Sequence, residues 1–163
     1  MTEQSTQARA WRLLADVADP EIPVLSVLDL GIVRDVEESA DARCVAVVLT
    51  PTYSGCPATD VIMHDVREAL ARDYDEVDVQ IQLSPAWTTD WLSPAGRKKL
   101  TGFGIAPPSG RARLPIVDVG SPARCPHCDS RDVEELAAFG STPCKALWRC
   151  RSCREPFDYF KVH

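Results

Sequence analysis

The sequence lacks several features that would assign it to a familiar class of protein. No uninterrupted apolar run approaches the roughly 18 residues that a membrane-spanning helix needs. A surplus of positive charge is missing too: the net charge is −6, whereas a general nucleic-acid binder needs a basic footprint. Internal repeats and low-complexity tracts are also absent. With 45% hydrophobic and 26% charged residues, the 163-residue chain has a globular composition, which excludes collagen-like and wholly disordered proteins.

Catalytic and cofactor signatures are equally scarce. The chain has no obvious Ser/His/Asp or Cys/His/Asn set and no glycine-rich phosphate loop. It also lacks the Glu-x-x-His pairs of di-iron proteins and a flavin or dinucleotide fingerprint. We therefore expect a protein that is not an enzyme. The polar start Met1–Gln4 has no apolar segment of a secretory signal, so we expect a cytoplasmic location without contact to membrane or nucleic acid.

Cysteine is the residue type with the most uneven distribution. Five of the seven cysteines lie in residues 121–163, and only Cys44 and Cys56 precede them. Charge divides in the same way, because residues 1–120 have a net charge of −7 and residues 121–163 a net charge of +1. An odd number of cysteines without an export signal indicates reduced thiols rather than a disulfide framework.

A stretch rich in glycine and proline separates the two parts of the chain. It predicts a linker over 105–122 between a domain at 1–104 and a four-cysteine module at 123–163. The first domain has the element order α-β-β-α-β-α, and the predicted elements are helices at about 5–18, 57–72 and 94–100 and strands at 32–37, 43–50 and 77–83. The fold class is therefore α+β, with a small mixed α/β domain followed by a zinc-ribbon module.

The second predicted strand alternates Val45, Val47 and Leu49 with Cys44, Ala46 and Val48. Apolar residues on both sides predict a strand with both faces covered or nearly so, and they place Cys44 in the core. The third strand alternates Val77, Val79, Ile81 and Leu83 with polar residues, which predicts a half-buried strand.

Two C-x2-C pairs carry the clearest chemical signal. Cys125–Cys128 and Cys150–Cys153 can each form a tight turn, and two such turns make a tetrahedral site of four sulfurs. Zinc suits such a site, and one structural Zn²⁺ per chain would supply the stability that so short a module cannot obtain from a core. Rubredoxin-type iron or an iron–sulfur cluster is the rival occupant, and unligated thiols are the plain alternative.

Cys144 does not belong to either pair. A buried thiol that packs as a small hydrophobic group is the commoner outcome for a free cysteine. The adjacent Lys145 favours the other interpretation, a reactive or cluster-binding thiolate. Both remain open from the sequence.

Cys56, at the end of the loop that begins at Thr50, is a second candidate for a nucleophilic or metal-binding thiol. Pro57 predicts a helix start, since proline is favourable at a first helical position. A helix N-terminus stabilises an anion, so this position would favour the thiolate of Cys56. The supporting loop consists of Thr50, Thr52, Ser54 and Gly55; it offers hydroxyls and lets the backbone approach a bound group closely. A turn with an inert buried cysteine is the alternative.

The motifs of the first domain resemble the small α/β family of iron–sulfur assembly factors that includes SufT. They are Asp19-Pro20-Glu21-Ile22-Pro23, Leu28-Asp29-Leu30-Gly31-Ile32-Val33, the Thr50…Cys56-Pro57 loop and the Trp87…Trp91 segment. Joined to residues 125–163, especially Phe139-Gly140-Ser141-Thr142-Pro143-Cys144-Lys145, the whole chain resembles the PaaD family, which is encoded with the multicomponent phenylacetyl-CoA epoxidase of aerobic phenylacetate degradation.

The resemblance implies an accessory protein that matures or delivers an iron–sulfur cluster, either [2Fe–2S] or [4Fe–4S], to the reductase component through Cys56. Four ligands are needed, so a homodimer would supply two copies of Cys56, and Cys144 or the recipient would supply the rest. The alternative is a structural or regulatory subunit of the epoxidase complex without cluster transfer.

Overall fold

The chain is described by a computed structural model that covers residues 3–41, 43–109, 122 and 124–162, without the side chains of residues 3–8. Contacts divide it into two compact units, Met1–Trp87 and Thr88–His163. Residues 110–121 of the predicted linker fall outside the described residues. The domain limits 1–104, 105–122 and 123–163 stay a prediction.

The first unit contains a three-stranded sheet and two helices. Its elements are α1 (Glu3–Ala15), β1 (Val33–Glu38), β2 (Cys44–Leu49), α2 (Thr59–Leu70) and β3 (Glu76–Ile81). Strand β2 is central, antiparallel to β1 and parallel to β3. Helix α1 packs against α2 and β1, and α2 packs against β3. The mixed α/β fold predicted for this part is therefore confirmed.

Burial along β2 shows which face of the sheet meets the core. Val45, Val47 and Leu49 are buried, whereas Cys44, Ala46 and Val48 are only half-buried. The second face is therefore only partly covered, and the prediction that Cys44 lies in the core is wrong. Its thiol lies 3.6 Å from the Glu76 carboxylate instead.

Strand β3 is covered less than its alternation predicts. Val79 is buried, but Ile81 is 37% exposed, and Leu83 lies beyond the end of the strand and is 56% exposed. Because β3 is at the edge of the sheet, it has a neighbouring strand on one side only.

Two buried aspartates shape the segment between α1 and β1. Asp19 accepts hydrogen bonds from the backbone N–H groups of Glu21 and Ile22, and Asp29 accepts from the backbone and hydroxyl of Ser26. Such hydrogen bonds from backbone to side chain satisfy donors that neither helix nor sheet can pair. Gly31 follows with φ +68°, a left-handed conformation that favours glycine.

The second unit begins with the 3-10 turn Thr89–Trp91 and helix α3 (Pro94–Gly102). Ser93 caps α3 by accepting from the Gly96 N–H, and Pro94 stands at its start, where a missing donor costs nothing. Four strands follow: β4 (Ile105–Ala106), β5 (Val133–Ala137), β6 (Lys145–Cys150) and β7 (Pro156–Phe160). The residues just after α3, predicted to start the linker, thus form a strand.

The sheet of the second unit has the order β4-β7-β6-β5. Strands β5, β6 and β7 form an antiparallel meander, and β4 pairs with β7 in parallel. Its small core consists of Ala106, Cys125, Ala146, Trp148, Cys150, Phe157 and Tyr159. Two cysteines of the C-x2-C pairs belong to that core, so ligand geometry and core packing depend on each other.

Candidate functional site

The two C-x2-C pairs meet at one point in the second unit. The sulfur of Cys125 lies 3.8 Å from that of Cys153, and the sulfur of Cys128 lies 3.5 Å from that of Cys150. All four sulfurs lie within 4.8 Å of one another. Zn–S bonds of about 2.3 Å in a tetrahedron place sulfurs about 3.8 Å apart. Two of the sulfur pairs match that spacing, and the four thiols are close enough together to be the ligands of one tetrahedral ion.

The two cysteine turns have the same backbone construction. The N–H of Cys125 donates to Ser130 O at 2.8 Å, and the N–H of Cys150 donates to Glu155 O at 3.0 Å, each to the residue five positions ahead. The residue after each second cysteine has a positive φ, 62° for Asp129 and 65° for Arg154. Because both turns repeat one conformation, each presents its two sulfurs in the same way.

Backbone N–H groups donate to the sulfurs, and the pKa of the thiol shifts in a different direction from one cysteine to the next. The N–H of His127 donates to the Cys125 sulfur at 3.4 Å. The amide of Cys153 donates to the Cys150 sulfur and lowers the pKa of that thiol to about 6, although burial opposes the shift. Burial raises the pKa of Cys125. The Glu155 N–H lowers the pKa of Cys153, but burial and the neighbouring thiols outweigh it and raise that pKa to about 12. Among these three ligands, Cys150 is therefore the one whose surroundings favour the thiolate that binds a metal ion.

The loop of Cys56 leads from β2 to α2. Cys56 is half-buried; its N–H donates to Tyr53 O at 3.2 Å, and its carbonyl accepts from the Thr59 N–H at 3.1 Å. Helix α2 begins at Thr59, and Ala58 at its N-cap makes no side-chain hydrogen bond. The prediction that Pro57 is the first helical residue is therefore wrong, because one turn intervenes between Cys56 and the helix.

The supporting residues of this loop differ in accessibility. Thr50 is 1% exposed, and its hydroxyl has no hydrogen-bond partner among the described residues. Thr52 is half-buried, and Ser54 and Gly55 are exposed. A Cβ added to Gly55 would meet no described atom within 4 Å, so local packing does not require glycine there. The open space beside Gly55 is consistent with room for a bound group.

Cys144 lies just before β6 and is buried. Its sulfur is 3.0 Å from the Thr142 hydroxyl, and its carbonyl accepts from the Lys161 N–H. Lys145, the cation expected to act on this thiol, is paired with Asp158 at 3.6 Å. Cys56 and Cys144 lie in different units, and their roles as a cluster-binding set stay a prediction.

Lys161 is the charged residue that sequence reasoning did not identify. It is buried, and its charge acts on Cys144 and Glu135. Burial lowers the pKa of its ammonium group. The only sequence signal is its place at the end of an apolar strand, and many surface lysines have such a place.

None of the described helices is both long and apolar enough to cross a membrane.

Comparison with known proteins assigns both parts of the chain to families. Residues 7–84 match the family described as iron–sulfur cluster assembly protein, and residues 117–161 match the PaaD zinc beta ribbon domain. The crystal structure of a DUF59 domain from Bacillus anthracis superposes with a TM-score of 0.55 at 25% identity, covering 60% of this chain and 92% of that one.

Two relatives are informative. The chain is 39% identical over 60% of its length to an Fe–S protein maturation auxiliary factor of Porphyromonas gingivalis, and it covers 92% of that protein. It is 49% identical over 93% of its length to an Escherichia coli protein whose name describes it as a subunit of 1,2-phenylacetyl-CoA epoxidase, and it covers 90% of that protein. These names support an accessory role. Similarity of that extent shows that the chain belongs to the PaaD family of phenylacetyl-CoA epoxidase proteins.

Proposed function

We propose that this chain is a non-catalytic accessory protein of the phenylacetyl-CoA epoxidase that delivers an iron–sulfur cluster to the reductase component. The observation that carries the proposal is Cys56, a half-buried thiol in a loop that leads into a helix without a side-chain cap. Residues 7–84, which include this loop, match the iron–sulfur assembly family. Cys56 is therefore not enclosed in the core, and a carrier that must release its cluster requires this.

The cluster is cargo in this account, and the chain must release it. Cys56 supplies one sulfur ligand of the four that a [2Fe–2S] or [4Fe–4S] cluster needs. A homodimer supplies two, and Cys144 or thiols of the recipient complete the set. Incomplete ligation by the carrier favours transfer, because the recipient offers a full set of ligands.

The second unit has a different metal in this proposal. Cys125, Cys128, Cys150 and Cys153 hold one structural Zn²⁺, supported by the distances between sulfurs and by the match to a zinc ribbon. The ion joins the cysteine turn that precedes β5 to the cysteine turn between β6 and β7. We assign it no chemistry beyond folding.

Anaerobic purification followed by metal and acid-labile sulfide analysis tests the assignment. Wild type is expected to contain zinc together with iron and sulfide, and Cys56→Ser is expected to lose iron and sulfide but keep zinc. Cys44→Ser is the matched control, since Cys44 is also a half-buried thiol of the first unit. Iron retained in Cys56→Ser would place the cluster elsewhere, and the zinc assignment of the four-cysteine site would then be the error.

Zinc without iron, even after reconstitution, would instead favour a structural or regulatory subunit. This second candidate is supported by the name of the Escherichia coli relative, which describes a subunit of the epoxidase. Stable co-purification with the di-iron components would be its positive evidence.

A further inference from the structure

The sheet of the first unit has one face that neither helix of that unit covers. Helix α1 packs against β1, and α2 packs against β3. The strand residues buried on the helical side are Val36, Val45, Val47, Leu49 and Val79. Side chains alternate between the two faces of a strand, so the residues between these belong to the opposite face. That opposite face, called the open face below, has the half-buried Ala46 and Val48 along its central strand.

Carboxylates lie on both sides of the apolar centre of the open face. Across the three strands, Glu37 of β1 pairs with Ala46 of β2, and Ala46 pairs with Asp78 of β3. Both carboxylates are exposed. On the rows to either side, Asp35 lies opposite Val48, and Glu76 lies opposite the residue at the start of β2. The open face is therefore an apolar strip between two acidic rims.

A depression of about 390 Å³ lies between these rims. Its lining includes the carboxylates of Glu37, Glu38, Glu76 and Asp78. The Glu76 carboxylate is 3.6 Å from the thiol of Cys44, and the Asp78 carboxylate accepts from the side-chain amide of Gln80 at 2.6 Å. Neither partner is a cation, so these contacts do not neutralise the rims.

The charge of the surrounding unit has the same sign as the rims. Residues 1–87 contain six arginines and no lysine against sixteen aspartates and glutamates, a net charge of −10. Arg43 lies just before β2, but it pairs with Asp75 at 2.5 Å. Complementary charge on a partner of the open face is therefore positive.

The dimensions of the open face fit an α-helix. Neighbouring strands lie about 4.8 Å apart, so the two outer strands are separated by about 10 Å. An α-helix with its side chains is about 10–12 Å across. A helix laid along β2 would place an apolar stripe over Ala46 and Val48, and lysines or arginines on its two flanks would reach the acidic rims.

Charge argues against the other classes of occupant. A unit with a net charge of −10 repels nucleic acid and anionic membrane surfaces. A second copy of the chain, docked face to face about a two-fold axis, would bring identical carboxylates together. A basic segment of another protein is the occupant that the local charges favour.

We propose that the open face docks a basic amphipathic helix of a partner protein. The apolar stripe of that helix packs on Ala46 and Val48, and its cations pair with carboxylates of β1 and β3. Glu37 and Asp78 are the central pair, because they share one row with Ala46. The inference goes beyond the proposed function and does not depend on cluster delivery.

The test is titration of the full zinc-loaded chain with a designed peptide, measured by fluorescence anisotropy at about 0.15 M salt. The peptide is a helix with one leucine stripe flanked on both sides by lysines. The double variant Glu37→Gln/Asp78→Asn is expected to weaken binding about fivefold or more. Asp60→Asn/Glu68→Gln is the matched control, since it removes the same charge from exposed positions of α2. Its affinity is expected to stay within about twofold of wild type.

Two further peptides separate the shaped contact from attraction by charge alone. One has the same composition in scrambled order without a stripe, and the other has glutamates in place of the lysines. Both are expected to bind about fivefold or more weakly than the designed helix. Amide chemical shifts of the protein are expected to change most along β2 when the designed helix binds.

Four results would overturn the proposal. They are failure of wild type to bind the designed helix, equal binding of the scrambled peptide, equal loss of affinity in the two double variants, and chemical-shift changes that are largest outside the three-stranded sheet.

Discussion

At the scale of single residues, the motifs shared with the iron–sulfur assembly family have different tasks. Asp19 and Asp29 satisfy backbone and hydroxyl donors, and Gly31 adopts a left-handed conformation. The indole of Trp87 donates to Leu30 O at 2.8 Å. These residues have a structural explanation within the first unit. No hydrogen bond of this kind explains Thr50, because its buried hydroxyl lacks a partner among the described residues.

Replacing Thr50 with valine tests whether that hydroxyl serves the fold. An unsatisfied buried hydroxyl is destabilising, so Thr50→Val is expected to have a free energy of unfolding equal to wild type or up to about 1 kcal/mol higher. Denaturant unfolding of the zinc-loaded protein measures it, with Thr50→Ser as the variant that keeps the hydroxyl. A loss of stability above about 1 kcal/mol, confined to the valine variant, would show that the hydroxyl is paired within the fold.

At the scale of elements, the backbone repeat of the two cysteine turns predicts a specific sensitivity. Arg154 has φ 65° directly after Cys153, a conformation that β-branched residues avoid. Arg154→Val is therefore expected to lower the free energy of unfolding of the zinc-loaded protein by about 1–2 kcal/mol, whereas Arg154→Gly does not lower it. Arg131→Val is the control, an exposed arginine of the same unit without a positive φ. Equal effects of valine at both positions would contradict the explanation.

Much of the element order could be predicted from the sequence, and the differences have physical causes. Alternating apolar residues identified β2, and the helix predicted at 57–72 is α2, whose buried residues are Ile62, Val66 and Leu70. The coverage of β3 could not be predicted, because alternation does not show whether a strand is central or at an edge. The pairing of β4 with β7 could not be predicted either, since a two-residue strand has no periodicity.

The candidate site also has features that could be predicted from the sequence and features that could not. The four-cysteine geometry followed from spacing alone, because two C-x2-C turns leave few ways to arrange four sulfurs. The partners of Cys144 did not follow, because Lys161 is separated from it by two strands. Lys145 is adjacent in sequence, but it pairs with Asp158 instead. Proximity along the chain is a poor guide to charge pairing in a hairpin.

At the scale of the whole molecule, the two units are expected to depend differently on metal. The second unit has a small core that includes two cysteines of the four-cysteine site, so we expect the proposed zinc ion to contribute to its folding. Removing zinc with a chelator is expected to abolish amide hydrogen-exchange protection in β6 while β2 keeps its protection. The Cys150→Ser variant should reproduce the result without chelator. Protection of β6 that survives complete zinc removal would mean that the ribbon folds without the ion.

The central claim is that Cys56 delivers a cluster to the reductase, and transfer to the apo-reductase tests it most directly. Under anaerobic conditions, cluster-loaded wild type and Cys44→Ser are expected to restore the iron–sulfur spectrum and electron-transfer activity of the reductase. Cys56→Ser, treated identically, is expected to leave the reductase without a cluster. Full restoration by Cys56→Ser would contradict the account.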